Sequence, residues 1–358
     1  MSNGKRLWHL SLSILLAGGG AVAAFAQDQQ MGITALNAKI KASKANWQAG
    51  ATSISSLSED EFQSRLLSPE DIAASVKTAN GLRKLPLNPE SMLSGEPLDW
   101  RAKGIETPVR DQGHCGSCWA FSMSGAEELQ LLIKKPDVYG HPGADVQRSP
   151  QVLVSCDTKK KGCKGGNLDA SYLVGTGLPA ESLYPYKSGA SGENGTCGEG
   201  AVDPDWKSKT EKISDWGSVE WSADAMKRAI SQYGPIPSSM MVFEDFKHYK
   251  SGVYAKTPDS KFLGGHAILI VGYDDTDQSF LVKNSWNTSW GDKGYFKMAY
   301  SEVGCDLLDV LFKHKKVNFG CATIAYNMKK MAHKADSRPL VSDDSAKKAI
   351  DALSTPLP

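Results

Sequence analysis

Residues 112–122 read Gln-Gly-His-Cys-Gly-Ser-Cys-Trp-Ala-Phe-Ser, and the reading of Cys115 and Cys118 decides what kind of chain this is. Two cysteines at this spacing can be a redox pair, half of a zinc site, or two residues with unrelated work. A thioredoxin-like pair needs a helix start inside a βαβ setting, and no clear parallel βαβ pattern surrounds this stretch. Zinc asks for a second close pair, whereas Cys156 and Cys163 have six residues between them. In the third reading Cys115 joins a disulfide and Cys118 is a nucleophile.

The residues that follow favour that division. From Trp119 to Lys135 the chain carries no proline and a single glycine, Gly125, before Pro136, so a helix opens at Ser117 or Cys118. Cys118 therefore falls in the first helical turn, where unpaired N–H groups and the helix dipole favour a thiolate.

Cysteine parity points the same way. Lys5 and Arg6 precede an apolar run from Leu7 to Ala24, and Ala24-Phe25-Ala26 is a small-x-small cleavage signal, so residues 1–26 are expected to be a signal peptide. The alternative, an uncleaved membrane anchor, is weakened by Gly18, Gly19 and Gly20. Export places seven cysteines, Cys115, Cys118, Cys156, Cys163, Cys197, Cys305 and Cys321, where thiols pair, and an odd number leaves one over.

A nucleophilic thiol needs a base and something to orient the base. His9 lies in the leader; His141, His248, His314 and His333 have polar surroundings and read as surface residues, and His114 is expected to point to solvent. His266 opens the strand pattern 266–273 after Gly264-Gly265, and a second pattern, 280–284, follows the polar turn 274–279. A hairpin folded about Asp275 puts Asn284 opposite His266, close enough for its amide to bond one ring nitrogen and leave the other for a thiol. A merely structural His–Asn pair is the plainer alternative.

Composition adds bounds. The 358 residues carry a net charge of +1, 23% charged and 41% apolar residues, which suits a soluble globular chain and gives no nucleic-acid footprint. Before the cysteine-bearing part, Ile33, Leu36, Ile40 and Trp47 fall on one helical face, and Ser58-Glu59-Asp60-Glu61 is a capping box with Leu57 and Phe62 placed as a hydrophobic staple. A small helical segment with an exposed apolar stripe makes sense docked on the rest of the chain as a pro-segment; a short folded N-terminal cap is the alternative. The polar tail from about Ala325 reads as flexible.

Gln112 to Ser122 resembles the active-site signature of papain-like cysteine peptidases. Gly265-His266-Ala267, Asn284-Ser285-Trp286 and Trp290-Gly291 resemble that family's histidine and asparagine motifs, and Leu98-Asp99-Trp100-Arg101 its usual mature start. Gly162-Cys-Lys-Gly-Gly166 and Tyr184-Pro-Tyr186 match further landmarks in the same order. The resemblance implies an α+β fold of two domains, a helical left domain and a β-barrel-like right domain with a cleft between them. It divides the chain into a signal peptide (1–26), an inhibitory propeptide (27–95), a peptidase domain (96–325) and a C-terminal extension (326–358).

Carried over residue by residue, it implies Cys118 as nucleophile, His266 as acid/base, Asn284 as its orienter and Gln112 as an oxyanion donor beside the Cys118 N–H. Trp286 would cover the His266–Asn284 bond, Gly165 and Gly166 would bond an extended substrate, and Asn167, Leu168, Ser239 and Ala267 would line a pocket. Disulfides Cys115–Cys163 and Cys156–Cys197 follow the family; Cys305 and Cys321 remain to pair with each other, a departure from its usual third bridge. Gly265 departs too, standing where an Asp or Asn is frequent. Asn46-Trp47-Gln-Ala-Gly50 resembles the short cathepsin B-type propeptide, yet only 17 residues separate Gly166 from Tyr184, too few for that type's occluding loop.

The expected protein is thus a secreted monomeric endopeptidase zymogen that takes peptide or protein substrates, is inhibited by its own propeptide, and uses no cofactor, metal, nucleic acid or membrane. An idle papain-like binding protein would show a substituted nucleophile, base or oxyanion glutamine. A thiol oxidoreductase would join Cys115 to Cys118.

Overall fold

The computed structural model describes residues 30–88 and 96–327. The signal-peptide reading, and all of the C-terminal extension after residue 327, lie outside them.

A first helix, α1, covers residues 30–42 and buries Ile33 and Ile40, with Leu36 half-buried. The stripe does not reach Trp47. Lys44 takes a left-handed conformation (φ 59°) that ends the turn, and Trp47 lies in the strand β1 (Asn46–Ala49). There its indole N–H donates to Ala255 O at 3.0 Å, and its ring meets Tyr254 edge-on at 5.1 Å.

Ser58 caps the short helix α2 (Glu59–Gln63) through a complete capping box, and Phe62 is driven into the core. A third helix, α3 (Pro69–Gly81), is absent from the sequence reading. Its start signals are Ser68 as cap, Pro69 at the first helical position, and Asp71 doing the reciprocal work usually given to Glu or Gln.

The body opens with β2 (Leu98–Asp99) and then α4 (Cys118–Lys134), buried on nearly every side. Around α4 gather the short helices α5 (Pro136–Tyr139), α6 (Pro150–Cys156), α7 (Ser171–Gly175) and α8 (Ser188–Ser191), with a ribbon of β3 (Leu178–Pro179) and β4 (Thr210–Glu211). Cys115–Cys163 and Cys156–Cys197 staple these loops, and Cys305–Cys321 closes a loop late in the chain.

The other half is a sheet of β5 (Asp215–Val219), β6 (Ile236–Phe243), β7 (Tyr249–Tyr254), β8 (Phe262–Asp274), β9 (Ser279–Lys283), β10 (Tyr295–Ala299) and β11 (Thr323–Asn327), with the helix α9 (Ala223–Tyr233) packed on it. Strands run in the order β1-β7-β10-β9-β8-β6-β11-β5, and β2 pairs with β8. This is the α+β arrangement of a helical half and a sheet half that the resemblance implies, and the strand path does not close on itself. Its two end positions are taken from before the body: β1 lies on β7, and Lys84 forms a parallel bridge with Ser218 of β5. The sheet also outlasts the boundary set at residue 325, since Tyr326 is buried and pairs with Trp216, and Asn327 pairs with Asp215.

The hairpin that carries the histidine has a different register from the one expected. Asp274 pairs with Ser279 and Tyr273 with Phe280, and a bulge between Ile270 and Gly272 shifts the ladder to Leu269 with Lys283. Continued, that register sets Asn284 level with Ile268. His266 and Asn284 are diagonal neighbours on one face, a relation long side chains bridge as readily as a direct pair.

Trp47→Ala removes an indole that is 4% exposed. It should advance the first urea-unfolding transition of the full chain by the equivalent of about 3–5 kcal/mol. An unchanged midpoint would show that β1 adds nothing to the docking of this segment.

Candidate active site

Ser117 precedes α4, and Cys118 is its first helical residue. The turn into the helix is tight enough that Gly116 is required: a Cβ there would lie 2.7 Å from Cys163 O, and Gly116 N donates to that same oxygen at 2.8 Å. Cys115 is tied to Cys163, which leaves Cys118 as the free cysteine among the described residues. The two cysteines of the opening stretch thus do different work, and the redox pairing of Cys115 with Cys118 is excluded.

Packing of α4 against β8 brings the thiol to the histidine. Ser122 Oγ donates to Ile268 O at 2.6 Å, and the N–H of Ala267 donates to Cys118 Sγ at 3.4 Å. On the far side of the ring, His266 Nε2 bonds Asn284 Oδ1 at 2.8 Å. Asn284 Oδ1 also accepts from Ser285 N at 2.8 Å, which fixes it as the acceptor and puts the proton on Nε2. Nδ1 of His266 is left buried and without a hydrogen-bond partner. Trp286 stacks on the imidazole, centroids 4.5 Å apart, and shields the His266–Asn284 bond.

Gln112 is held from both halves. Its backbone N–H donates to Ser285 O at 2.9 Å, while its side-chain Oε1 accepts from Ser285 Oγ at 2.7 Å and from the indole N–H of Trp286 at 3.1 Å. These bonds aim the amide nitrogen, which donates to Cys115 O at 2.8 Å and to Arg65 O at 2.7 Å. The second role of Trp286 was not legible in the sequence, because a tryptophan beside an asparagine does not say where its N–H points. Nor was the brace from Tyr186, whose hydroxyl bonds Ser117 Oγ at 2.7 Å and Gln112 O at 2.8 Å.

The segment before the body lies across this site. Leu67 and Gly265 exchange both backbone hydrogen bonds, at 2.7 and 2.6 Å, and Ile72 packs where a Cβ on Gly265 would be, 2.3 Å from its Cγ1. That close approach gives a physical reason for glycine in place of Asp or Asn before the histidine. In the first turn of α3, the Asp71 carboxylate lies against Gly165 and pairs with Lys161 at 2.8 Å. The Leu168 N–H reaches Ser75 Oγ at 3.1 Å, and the Asn167 amide meets Thr78 Oγ1 at 3.4 Å. Gly166 rests on the Trp119 ring, and a Cβ there would come within 2.6 Å of it. Ser239, opposite Ala267 in the ladder, is fully buried with its Oγ accepting from Ala322 N at 2.9 Å.

Burial overrides the helix start. The covered Cys118 thiol is pushed up to about 12 by desolvation, against the lowering expected from its place in the first turn, and His266 is pushed down to about 4 by the same cause. At neutral pH the covered pair is thiol and neutral imidazole. His248 is not the free surface residue the sequence suggested: half-buried, it bonds Ser55 Oγ at 3.1 Å and is lowered to about 4, first by burial and then by Lys247. His314 likewise stacks on Phe262, 3.9 Å between centroids.

Fold and site together define a cysteine peptidase that carries its own blocking segment. A model of the papain family of cysteine proteases matches residues 95–312, more than half of the chain, and the chain belongs to that family. It is 34% identical over 276 residues to cathepsin B-like CP2 of Giardia intestinalis, covering 75% of this chain and 89% of that one. To the cathepsin L-like peptidase of Aedes aegypti it is 38% identical over 215 residues, 56% of this chain and 58% of the other. Among solved structures, digestive procathepsin L2 from the Tenebrio molitor larval midgut superposes with a TM-score of 0.63 at 26% identity, over 84% of this chain and 90% of that one. Procathepsin B S9 from Trypanosoma congolense shares the fold, with a TM-score of 0.66 at 21% identity over 83% and 98% of the two chains. The likeness to proforms makes this chain a cysteine peptidase in zymogen form.

Two titrations should be visible in the full-length chain. A histidine depressed below the usual value near 6.5 stabilises the covered state above that pH and loses its contribution as pH falls towards 4. The urea midpoint of full-length Cys118→Ala should therefore fall between pH 6.5 and 4, and His248→Gln should flatten part of that fall; a level profile would contradict both assignments. The raised thiol has the opposite sign, so iodoacetamide at pH 7.5 should alkylate Cys118 in the covered chain far more slowly than an exposed cysteine.

Proposed function

We propose that the chain is an exported cysteine endopeptidase, held inactive by residues 27–95 until that segment is removed. The observation that carries this reading is the Arg65 carbonyl bonded to the Gln112 amide, beside a free thiol at a helix start. A pro-segment peptide group occupies the place where a scissile carbonyl would be polarised.

Once the segment leaves, water returns to Cys118 and His266, and the desolvation that keeps both neutral is relieved. Transfer of the thiol proton to His266 Nδ1 then gives thiolate and imidazolium, the thiolate favoured by the start of α4. The thiolate attacks a peptide carbonyl, and charge on its oxygen is stabilised by the Gln112 amide and the Cys118 N–H. His266 gives its proton to the leaving amine, forming a thioester, and then activates the water that hydrolyses it. Asn284 holds the ring in register throughout, and Trp286 keeps water off that bond.

Gly165 and Gly166 offer backbone groups to an extended substrate in the track now filled by α3, with Asn167, Leu168, Ser239 and Ala267 around the pocket next to it. The short stretch between Gly166 and Tyr184 leaves no material for a loop that closes the far end of the cleft, which supports internal cleavage. The leader supports export.

The test is hydrolysis of an internally quenched peptide blocked at both termini. The processed enzyme should cleave it. Cys118→Ala should lose at least about 1,000-fold in kcat, and Gln112→Ala about 100- to 1,000-fold with the fold intact. Cleavage of free-ended peptides alone would refute the endopeptidase assignment, and undiminished turnover by Cys118→Ala would end the thiol mechanism.

A further inference from the structure

Residues 83–88 of the pro-segment are held by a groove that plays no part in the chemistry. They lie along the outer edge of β5, and β11 and β6 separate that strand from β8, which carries His266. Three strand spacings put the two places roughly 14 Å apart or more.

The groove is specific in its contacts. Ser218 N donates to Arg83 O at 3.1 Å, and Leu85 N donates to Ser218 O at 3.0 Å, so the segment extends the sheet as a parallel strand. Leu85 is 5% exposed and sits on Gly217, where a Cβ would come within 2.7 Å of both the Leu85 side chain and Arg83 O. Asp215 pairs with the Arg83 guanidinium. Beyond the strand, Pro86 O accepts from Tyr233 Oη at 2.7 Å and from the Gln232 amide at 3.0 Å, while Gln232 Oε1 accepts from Asn88 N at 2.9 Å. Main-chain bonds, a side-chain seat at alternate positions and one charged partner are the parts of a site that binds peptides by strand addition.

We propose that this edge of β5, once cleared of its own pro-segment, is a docking site outside the catalytic cleft for an extended polypeptide of the pattern basic–x–Leu–Pro. The occupant's chemistry is that of Arg83-Lys84-Leu85-Pro86. The basic residue pairs with Asp215, leucine fills the seat over Gly217, and the carbonyl of the proline reaches Tyr233 and Gln232. A substrate chain anchored there raises its own local concentration at the cleft. The proposal rests on removal of the pro-segment, so its test includes an arm that does not.

A fluorescent peptide of residues 82–88 is titrated by anisotropy into processed enzyme whose Cys118 has been blocked with a thiol-directed epoxide, and into the full-length Leu85→Asp chain, in which the resident strand is loosened. Saturable binding is expected in both, and none to the full-length wild-type chain, where the groove is filled. A Leu85→Asp peptide should bind at least tenfold more weakly, as should the wild-type peptide to Asp215→Lys enzyme. A scrambled peptide that binds equally well, loss of binding when the cleft is blocked, or no binding in either arm would overturn the proposal. Failure of the processed sample to turn over substrate before blocking would count against the functional reading alone, because the Leu85→Asp arm still reports on the groove.

Discussion

The contact on which everything else depends is α4 lying across β8. Ser122 is bonded to Ile268 O, and Gly125 lies close against β8, where a Cβ would meet Leu269 Cδ2 at 3.2 Å and the leucine would have to give way slightly. This close approach places the first residue of the helix beside Ala267, and so a thiol beside an imidazole. Neither half carries chemistry alone. Cys118 without β8 is a thiol with no imidazole beside it, and His266 without α4 is a histidine bonded to an asparagine. Gln112 spans the same boundary, its backbone and side chain both held by Ser285.

The pro-segment exploits the boundary without adding any reactive group. It offers a carbonyl to Gln112 and a strand-like pair to Gly265, then lays α3 along the Gly165–Leu168 track. Steric denial is only part of the effect. Burial also holds the Cys118 thiol above its ordinary range and the His266 imidazole below its own, so the neutral form of each is favoured while the cover is in place.

Much of this was legible, for identifiable reasons. The first turn of α4 follows from the helical run and Pro136, and α2 from its capping box, because helix ends are written in local sequence. The partnership of His266 with Asn284 was reached through a register two residues out. The turn closes between Asp274 and Ser279, beyond the expected centre at Asp275, the bulge near Val271 takes back one residue of that offset, and the diagonal geometry tolerated the rest. α3 was missed because its box uses Asp71 rather than Glu. The bridge at Lys84 was missed because its partner Ser218 is distant in sequence, and the Arg65 contact because a turn carbonyl carries no local sign of the amide it will meet. The ionisation state of Cys118 could not be read locally either, since it depends on which segment covers the thiol, not on the helix that presents it.

The complete burial of Cys118 also bears on the disulfides. Three disulfides share the described chain with one free thiol. Thiol–disulfide exchange requires a thiolate that can reach another sulfur. Under its cover in the folded chain Cys118 is neither ionised nor reachable, so the segment that covers it also withholds it from oxidants and from exchange with the three disulfides. Cover and redox protection are then one act of burial, which lasts as long as the segment before the body stays in place.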